Sequence, residues 1–207
     1  MPPDGLARRW ASLLRACDVA VETAAPHFDT LVSAYREPHR AYHDLEHLAH
    51  VFAELEGVPL WDPAVEWATW YHDAIYRPGR RDNERRSAVL ARATLEQLHL
   101  KHLVPRVVQL IEATARHDAS SDDAAAQLFL DADMAILGAD PATYERYVLG
   151  IRREHRSIPA FLFACGRRAF LRDTLARPSI FLTDHFRRRY ERSARENLQR
   201  ELAQLDG

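Results

Sequence analysis

The chain has 207 residues, with 28 Lys+Arg against 30 Asp+Glu for a formal net charge of −2, and it is 47% hydrophobic and 28% charged. This length favours one domain around one core, and the composition excludes a disordered, collagen-like or membrane-embedded chain. Near-balanced charge gives no global field toward nucleic acid or anionic lipid, so neither is an expected partner, and any basic site is a local arrangement of arginines because Lys101 is the only lysine.

Apolar spacing of three and four recurs from end to end, and no Asn-Gly or Asp-Gly turn joins alternating apolar runs, which predicts an all-α protein of about nine or ten helices in one domain spanning residues 1–207. Leu6, Trp10, Leu13, Leu14, Cys17 and Val21 form one helical stripe. A second helix is expected from about Asp44 to Glu56, closed by Gly57. Trp61-Asp62-Pro63 reads as a cap with proline at the first helical position, opening a segment through Trp67, Trp70 and Tyr71 that ends before Pro78-Gly79. Asp82 caps a helix from Asn83 to Leu98, Pro105 opens one reaching His117, and Asp123 to Leu137 is helical by composition. Asp140-Pro141 repeats the cap-plus-proline signal, and Ser157-Ile158-Pro159 starts a helix through Phe161, Phe163 and Phe170. The last helix runs from about Asp184 to Leu205. Its stripe Phe186, Tyr190, Ala194, Leu198 and Leu202 reads as a core face, with a homodimer seam as the alternative. Cys17 and Cys165, far apart and each in an apolar stretch, read as buried free thiols. No basic region followed by an apolar core opens the N-terminus, and no apolar run of about 18 residues occurs, so a cytoplasmic location is expected.

The chemistry is concentrated in histidines next to acids. Eleven histidines are present, and three of them form His-Asp pairs: His43-Asp44, His72-Asp73 and His117-Asp118. About one such pair is expected by chance, so context decides. In Tyr42-His43-Asp44-Leu45-Glu46-His47 two histidines stand at i and i+4, which on a helix places both imidazoles on one face. His72-Asp73 is flanked by Trp70, Tyr71, Ile75 and Tyr76, and a buried ionised Asp needs a cation or a donor network. Asp131 and Asp133 interrupt an otherwise apolar helix, where two carboxylates repel unless neutralised; being two apart, they point to opposite sides, so one of them faces a site. Imidazoles and carboxylates from separate helices suit a divalent ion such as Mn, Fe, Co, Ni or Zn.

With these segments the chain resembles the HD superfamily of metal-dependent phosphohydrolases, whose pattern is His, then His-Asp, then a distant Asp. The resemblance is closest to small, uncharacterised bacterial HD proteins. It runs through Tyr42-His43 to His47, His72-Asp73-Ala74-Ile75-Tyr76, Asn83-Glu84-Arg85-Arg86-Ser87-Ala88 and Leu130-Asp131-Ala132-Asp133 to Gly138, covering roughly residues 30–140. It implies an HD-type helical bundle with His47, His72, Asp73 and Asp133 as ligands of one divalent ion, Mg included, with room for a second. The Tyr42 to His47 segment also resembles the Tyr-His-Asn-x-x-His signature of cyclic-nucleotide phosphodiesterases, with Asp44 in place of Asn; there the first His protonates the leaving oxygen and the second binds metal. The implied function is hydrolysis of a phosphate ester or nucleotide-like substrate by a metal-bound hydroxide, with His43 as general acid. A non-catalytic HD-fold regulatory or ligand-binding module that keeps the metal is the alternative. Glu84 is the candidate base that orients the attacking water, while Arg77, Arg80 and Arg81 are placed to hold phosphate oxygens. His117, expected at a helix C-terminus, is a candidate substrate contact or second-metal ligand, and His50 a supporting residue.

Overall fold

The computed structural model describes residues 3–58 and 61–206; the N-terminal reading rests partly on Met1 and Pro2, which lie outside them. Ten α-helices and two short 3-10 turns make up the described chain, an all-α bundle. In order they are α1 Pro3–Ala16, α2 Val21–Tyr35, α3 Leu45–Glu56, α4 Pro63–Tyr71, α5 Asn83–Gln97, α6 Val104–Ala113, α7 Ala124–Met134, α8 Pro141–Glu154, α9 Ala160–Ala176 and α10 Asp184–Asp206; the 3-10 turns are Lys101–Leu103 and Ala135–Gly138. No helix among the described residues is long and apolar enough to cross a membrane.

Side-chain caps set several of the starts. Asp44, Asp62, Asp123 and Asp140 each accept backbone N–H bonds from the first turn of α3, α4, α7 and α8, and Pro63 and Pro141 occupy early positions where no N–H is required. Asp82 precedes α5 without capping it, because its carboxylate is taken by Arg80 at 2.7 Å. The first apolar stripe is two helices rather than one: Asp18 adopts a left-handed φ of 55°, which ends α1 before Cys17 and puts Val21 at the exposed start of α2. Cys17 is half-buried and Cys165 is exposed, against the expectation of two buried thiols. The segment after Pro105 leaves the helix at Ala113, four residues before His117.

Two cores result. The first joins α1, α2, α4, α5 and α6 around Trp10, Trp67, Trp70, Leu95, Val107 and Phe129. Within it Trp10 meets Trp67 and Trp70 edge-on at 5.1 and 5.2 Å. The second joins the Ala135–Gly138 turn, α8, α9 and α10 around Leu137, Tyr144, Leu171, Phe181, Phe186 and Leu198. Phe186, Ala194 and Leu198 of the α10 stripe are fully buried in it, so that stripe is a core face. Close approach depends on Gly138, where a Cβ would fall 2.5 Å from the Tyr190 Cβ. α3 and α7 belong to both cores: Leu48 and Phe52 face the first and Val51 the second, as Phe129 and Leu130 face the first and Ala132 and Met134 the second.

Candidate metal centre

The two shared helices carry the chemistry. The Asp44 side chain accepts from Glu46 N at 2.8 Å and His47 N at 3.3 Å, so α3 begins at Leu45 and His47 sits in its first turn, buried. His72 ends α4, its ring fixed by an Nδ1–H bond to the Thr69 carbonyl at 2.9 Å. Asp133 lies in the last turn of α7.

These side chains meet. His47 Nε2 is 3.1 Å from His72 Nε2, 3.2 Å from Asp133 Oδ1 and 3.6 Å from Asp73 Oδ2. His72 Nε2 is 3.3 Å from Asp73 Oδ2 and 3.5 Å from Asp133 Oδ1. One ligand atom each from His47, His72 and Asp133 lies within 4.8 Å of the others, a grouping able to hold a metal ion. With its Nδ1–H donated to Thr69, neutral His72 presents a bare lone pair at Nε2, and neither carboxylate brings a proton, so the centre gathers acceptors that need positive charge. Burial disfavours a proton on His72, but the Asp73 and Asp133 carboxylates outweigh it and hold the imidazole well above its ordinary value. Burial would likewise raise the Asp133 carboxyl, yet hydrogen bonds from His117, His47 and His72 keep it well below the usual range. Imidazole and carboxylate donors at these separations fit a first-row divalent ion.

His43 departs from the helical reading. It precedes the cap of α3, and what holds it is Glu154 at the end of α8, a buried carboxylate that no sequence signal singled out. Glu154 Oε1 accepts the backbone N–H groups of Ala41, Tyr42 and His43 at 2.8, 2.8 and 2.9 Å. Its Oε2 accepts from His43 Nδ1 at 2.8 Å and from the Tyr76 hydroxyl at 2.9 Å. Burial pushes this carboxyl up, but the bonds from His43 and the backbone bring it down to about 2. His43 is itself raised: burial lowers it, and Asp73 and Glu154 more than reverse that. Arg40, also buried, donates to the carbonyls of His43, Asp73 and Ala74 at 2.8, 2.8 and 3.0 Å, tying the His43 loop to the His-Asp loop. Gly150 inside α8 marks the close approach of this loop rather than the carboxylate itself: an added Cβ would lie 2.9 Å from the Ala41 carbonyl. A mid-helix glycine costs about 1 kcal/mol relative to alanine and calls for a packing reason.

A 240 Å³ pocket opens on the centre, lined by His43, His47, His72, Asp73, Glu84, His117 and Asp133 together with residues of the second core. His117 adopts a left-handed φ of 47° beyond α6, which turns its Nε2 onto Asp133 Oδ2 at 3.0 Å; Asp133 thus shows its other oxygen to His47 and His72. Asp131 points away, accepting from Leu182 N, Thr183 N and Thr183 Oγ1 at 2.7–2.8 Å just ahead of α10, so it fixes that helix and leaves the centre to Asp133. Arg77 and Arg81 are not brought to the pocket: Arg77 pairs with Glu37 at 2.9 Å and lies against His39, and Arg81 is exposed. Arg80 is bound to Asp82. Asn83 and Ser87 clamp the loop between them, through bonds to Arg77 and Ile75. His50 is half-buried on α3 with its Nε2 unpartnered among the described residues. Comparison with family models, curated proteins and solved structures returns no significant match to this chain.

Proposed function

We propose that this protein is a metal-dependent phosphohydrolase of the HD type, acting on a small phosphate ester. The observation that carries the reading is two kinds of imidazole in one pocket: His47 and His72 turned onto Asp73 and Asp133, and His43 turned by Glu154 so that its free nitrogen is Nε2. The four residues His47, His72, Asp73 and Asp133 would hold the ion. A divalent ion bound there supplies a Lewis acid for a phosphoryl oxygen and lowers the pKa of water. Glu84, lining the same pocket outside the ligand set, takes the proton of the attacking water as its oxygen bonds to phosphorus. The ester P–O bond breaks, and His43, whose pKa the neighbouring carboxylates raise, gives its Nε2 proton to the leaving oxygen. His117 holds Asp133 in the ligand orientation, and Tyr76 shares Glu154 with His43.

The test is metal analysis of the purified protein followed by assays of phosphate monoesters and diesters with added Mn²⁺. Expected are one bound divalent ion per chain and turnover that a chelator abolishes. Bound ion with no turnover on any ester favours the regulatory module; no bound ion defeats both.

A further inference from the structure

The second core gives the pocket a wall whose chemistry bears on the substrate. Resting on the phosphohydrolase reading, we propose that the pocket selects a single phosphoryl group carried on a small apolar or aromatic alcohol, and discriminates against sugar phosphates and polyphosphates.

The lining contributed around the second core is Met134, Ile136, Leu137, Tyr147, Ile151 and Phe170. Its polar atoms are mostly engaged. The Tyr76 hydroxyl is bound to Glu154, and the Tyr147 hydroxyl accepts from Arg167 at 2.9 Å. The Tyr42 hydroxyl, buried without a partner among the described residues, and the Tyr147 O–H proton are the hydroxyl donors this wall leaves over, few for a polyol. A sugar entering here gives up its water for aliphatic and aromatic surface, and a lost hydroxyl partner weighs far more in discrimination than a methylene. An apolar alcohol loses nothing and buries area.

Charge points the same way. Among the described lining residues Arg167 is the only guanidinium or ammonium group. Its Nε and Nη2 donate to Glu201 at 2.8 and 3.0 Å, with both partners buried, and its guanidinium carbon stands 4.9 and 5.0 Å from the Phe170 and Tyr147 ring centres. That positive charge is neutralised within the core. Beyond the ion and His43, which the first phosphoryl group engages, a second or third phosphate would therefore meet apolar wall and the Glu84 carboxylate, with no further arginine or lysine to replace its hydration. Arg146 lines a neighbouring cavity of 320 Å³ that shares Tyr42, His47, Ile136 and Tyr147 with this one, and is not among the residues lining the pocket over the centre. The 240 Å³ volume is below the ordinary range for drug-sized ligands, which limits the alcohol to a small one.

Two measurements test this independently. The first is calorimetric binding of non-hydrolysable phosphonates to the Mn²⁺-loaded protein: benzylphosphonate is expected to bind at least about tenfold tighter than 2-hydroxyethylphosphonate, with a negative heat-capacity change. The second compares kcat/KM for benzyl phosphate, glycerol 3-phosphate and ATP at excess Mn²⁺, with the benzyl ester expected to lead by about tenfold or more. Phe170→Ala, verified as folded by its melting curve, should narrow that preference mainly through KM. If the phosphonate preference holds while no ester is turned over, the hydrolase reading falls and the pocket's selectivity stands. Equal or tighter binding of the hydroxyethyl compound, or preference for ATP, overturns the proposal.

Discussion

The two cores of this molecule divide the labour of one pocket. The first, built on the Trp10, Trp67 and Trp70 cluster, aims imidazole and carboxylate groups able to hold a metal: it fixes His72 through α4 and shares with the second core the helices that carry His47 and Asp133. The second adds none of these groups beyond those on the shared helices. It contributes the apolar wall and, through Glu154 and Gly150 of α8, the support that turns His43. His47 and Asp133, on helices that both cores bury, are held by packing on two sides, while His43 sits on a loop held by hydrogen bonds to the Glu154 carboxylate and the Arg40 guanidinium. Ion binding and proton donation should therefore fail separately.

The largest effect expected is from the ligand side. His47→Ala should abolish the ion and, with it, hydrolysis of esters with good and poor leaving groups alike, read by metal analysis and turnover. Removing the ion from the unaltered protein with a chelator should lower stability by about 2.7 kcal/mol under conditions where free metal stood at 100 times Kd. An ion retained by His47→Ala would break the division at its root.

The acid side should give a smaller and selective loss. His43→Ala is expected to keep the ion and slow an alkyl phosphate by roughly 10²-fold or more, while a nitrophenyl ester, which needs little protonation, slows much less. Glu154→Gln should reproduce that pattern, because an amide donating to His43 Nδ1 leaves the ring neutral. The double variant should be no slower than His43→Ala alone. Additive losses would make Glu154 a fold element only, and loss of the ion in His43→Ala would make His43 a ligand.

How much of this was legible follows the same division. The meeting of His47, His72 and Asp133 was readable because cap-plus-proline signals and the acids inside apolar segments are local patterns; opposite faces on one helix left one of Asp131 and Asp133 for the site, and the resemblance pointed to Asp133. The i, i+4 argument for His43 brought the right residues close, with ring centres 5.7 Å apart, through the wrong geometry, since Asp44 starts the helix after His43. Glu154 and Arg40 were not readable. Their partners are backbone groups distant in sequence, 111–113 residues away for the Glu154 N–H bonds and 33 or 34 away for two of the Arg40 carbonyls, and backbone atoms carry no residue identity to betray them. Arg77 and Arg81 misled for the converse reason: proximity along the chain to His72-Asp73 did not become proximity in space.

Acid titration should sharpen the contrast further. Glu154 ordinarily ionises near 4.5 and is held at about 2 in the fold, so between these values the unfolded chain binds more protons than the native one. The stabilisation is complete above pH 4.5 and is lost as pH falls toward 2, amounting to about 3 kcal/mol. His43, raised in the fold, is protonated in both states throughout that window and contributes no slope there. Urea unfolding across this range should show the loss, and Glu154→Gln should flatten it; an unchanged acid limb in that variant would mean that other carboxylates carry the effect.

The smallest effect belongs to the arginines outside both halves. Arg77 is half-exposed, with 53% of its side chain accessible, and is paired with Glu37 at 2.9 Å; such surface pairs contribute about 0–1 kcal/mol. Its backbone, by contrast, is fixed: the N–H donates to Asn83 Oδ1 and the carbonyl accepts from Asn83 Nδ2, both at 3.1 Å. Arg77→Ala leaves those two bonds intact, so the His-Asp loop should keep its shape and the ion its ligands. If phosphate is held by the ion, His43 and the pocket lining, kcat/KM should change by no more than about twofold, the ordinary range for a surface substitution of roughly 0.5 kcal/mol. Arg81→Ala, also outside the pocket lining, should behave alike. A tenfold rise in KM for either variant, with metal content and melting temperature unchanged, would mean that the loop after His72-Asp73 folds over bound phosphate, and the pocket would then draw its missing cation from the first core's side.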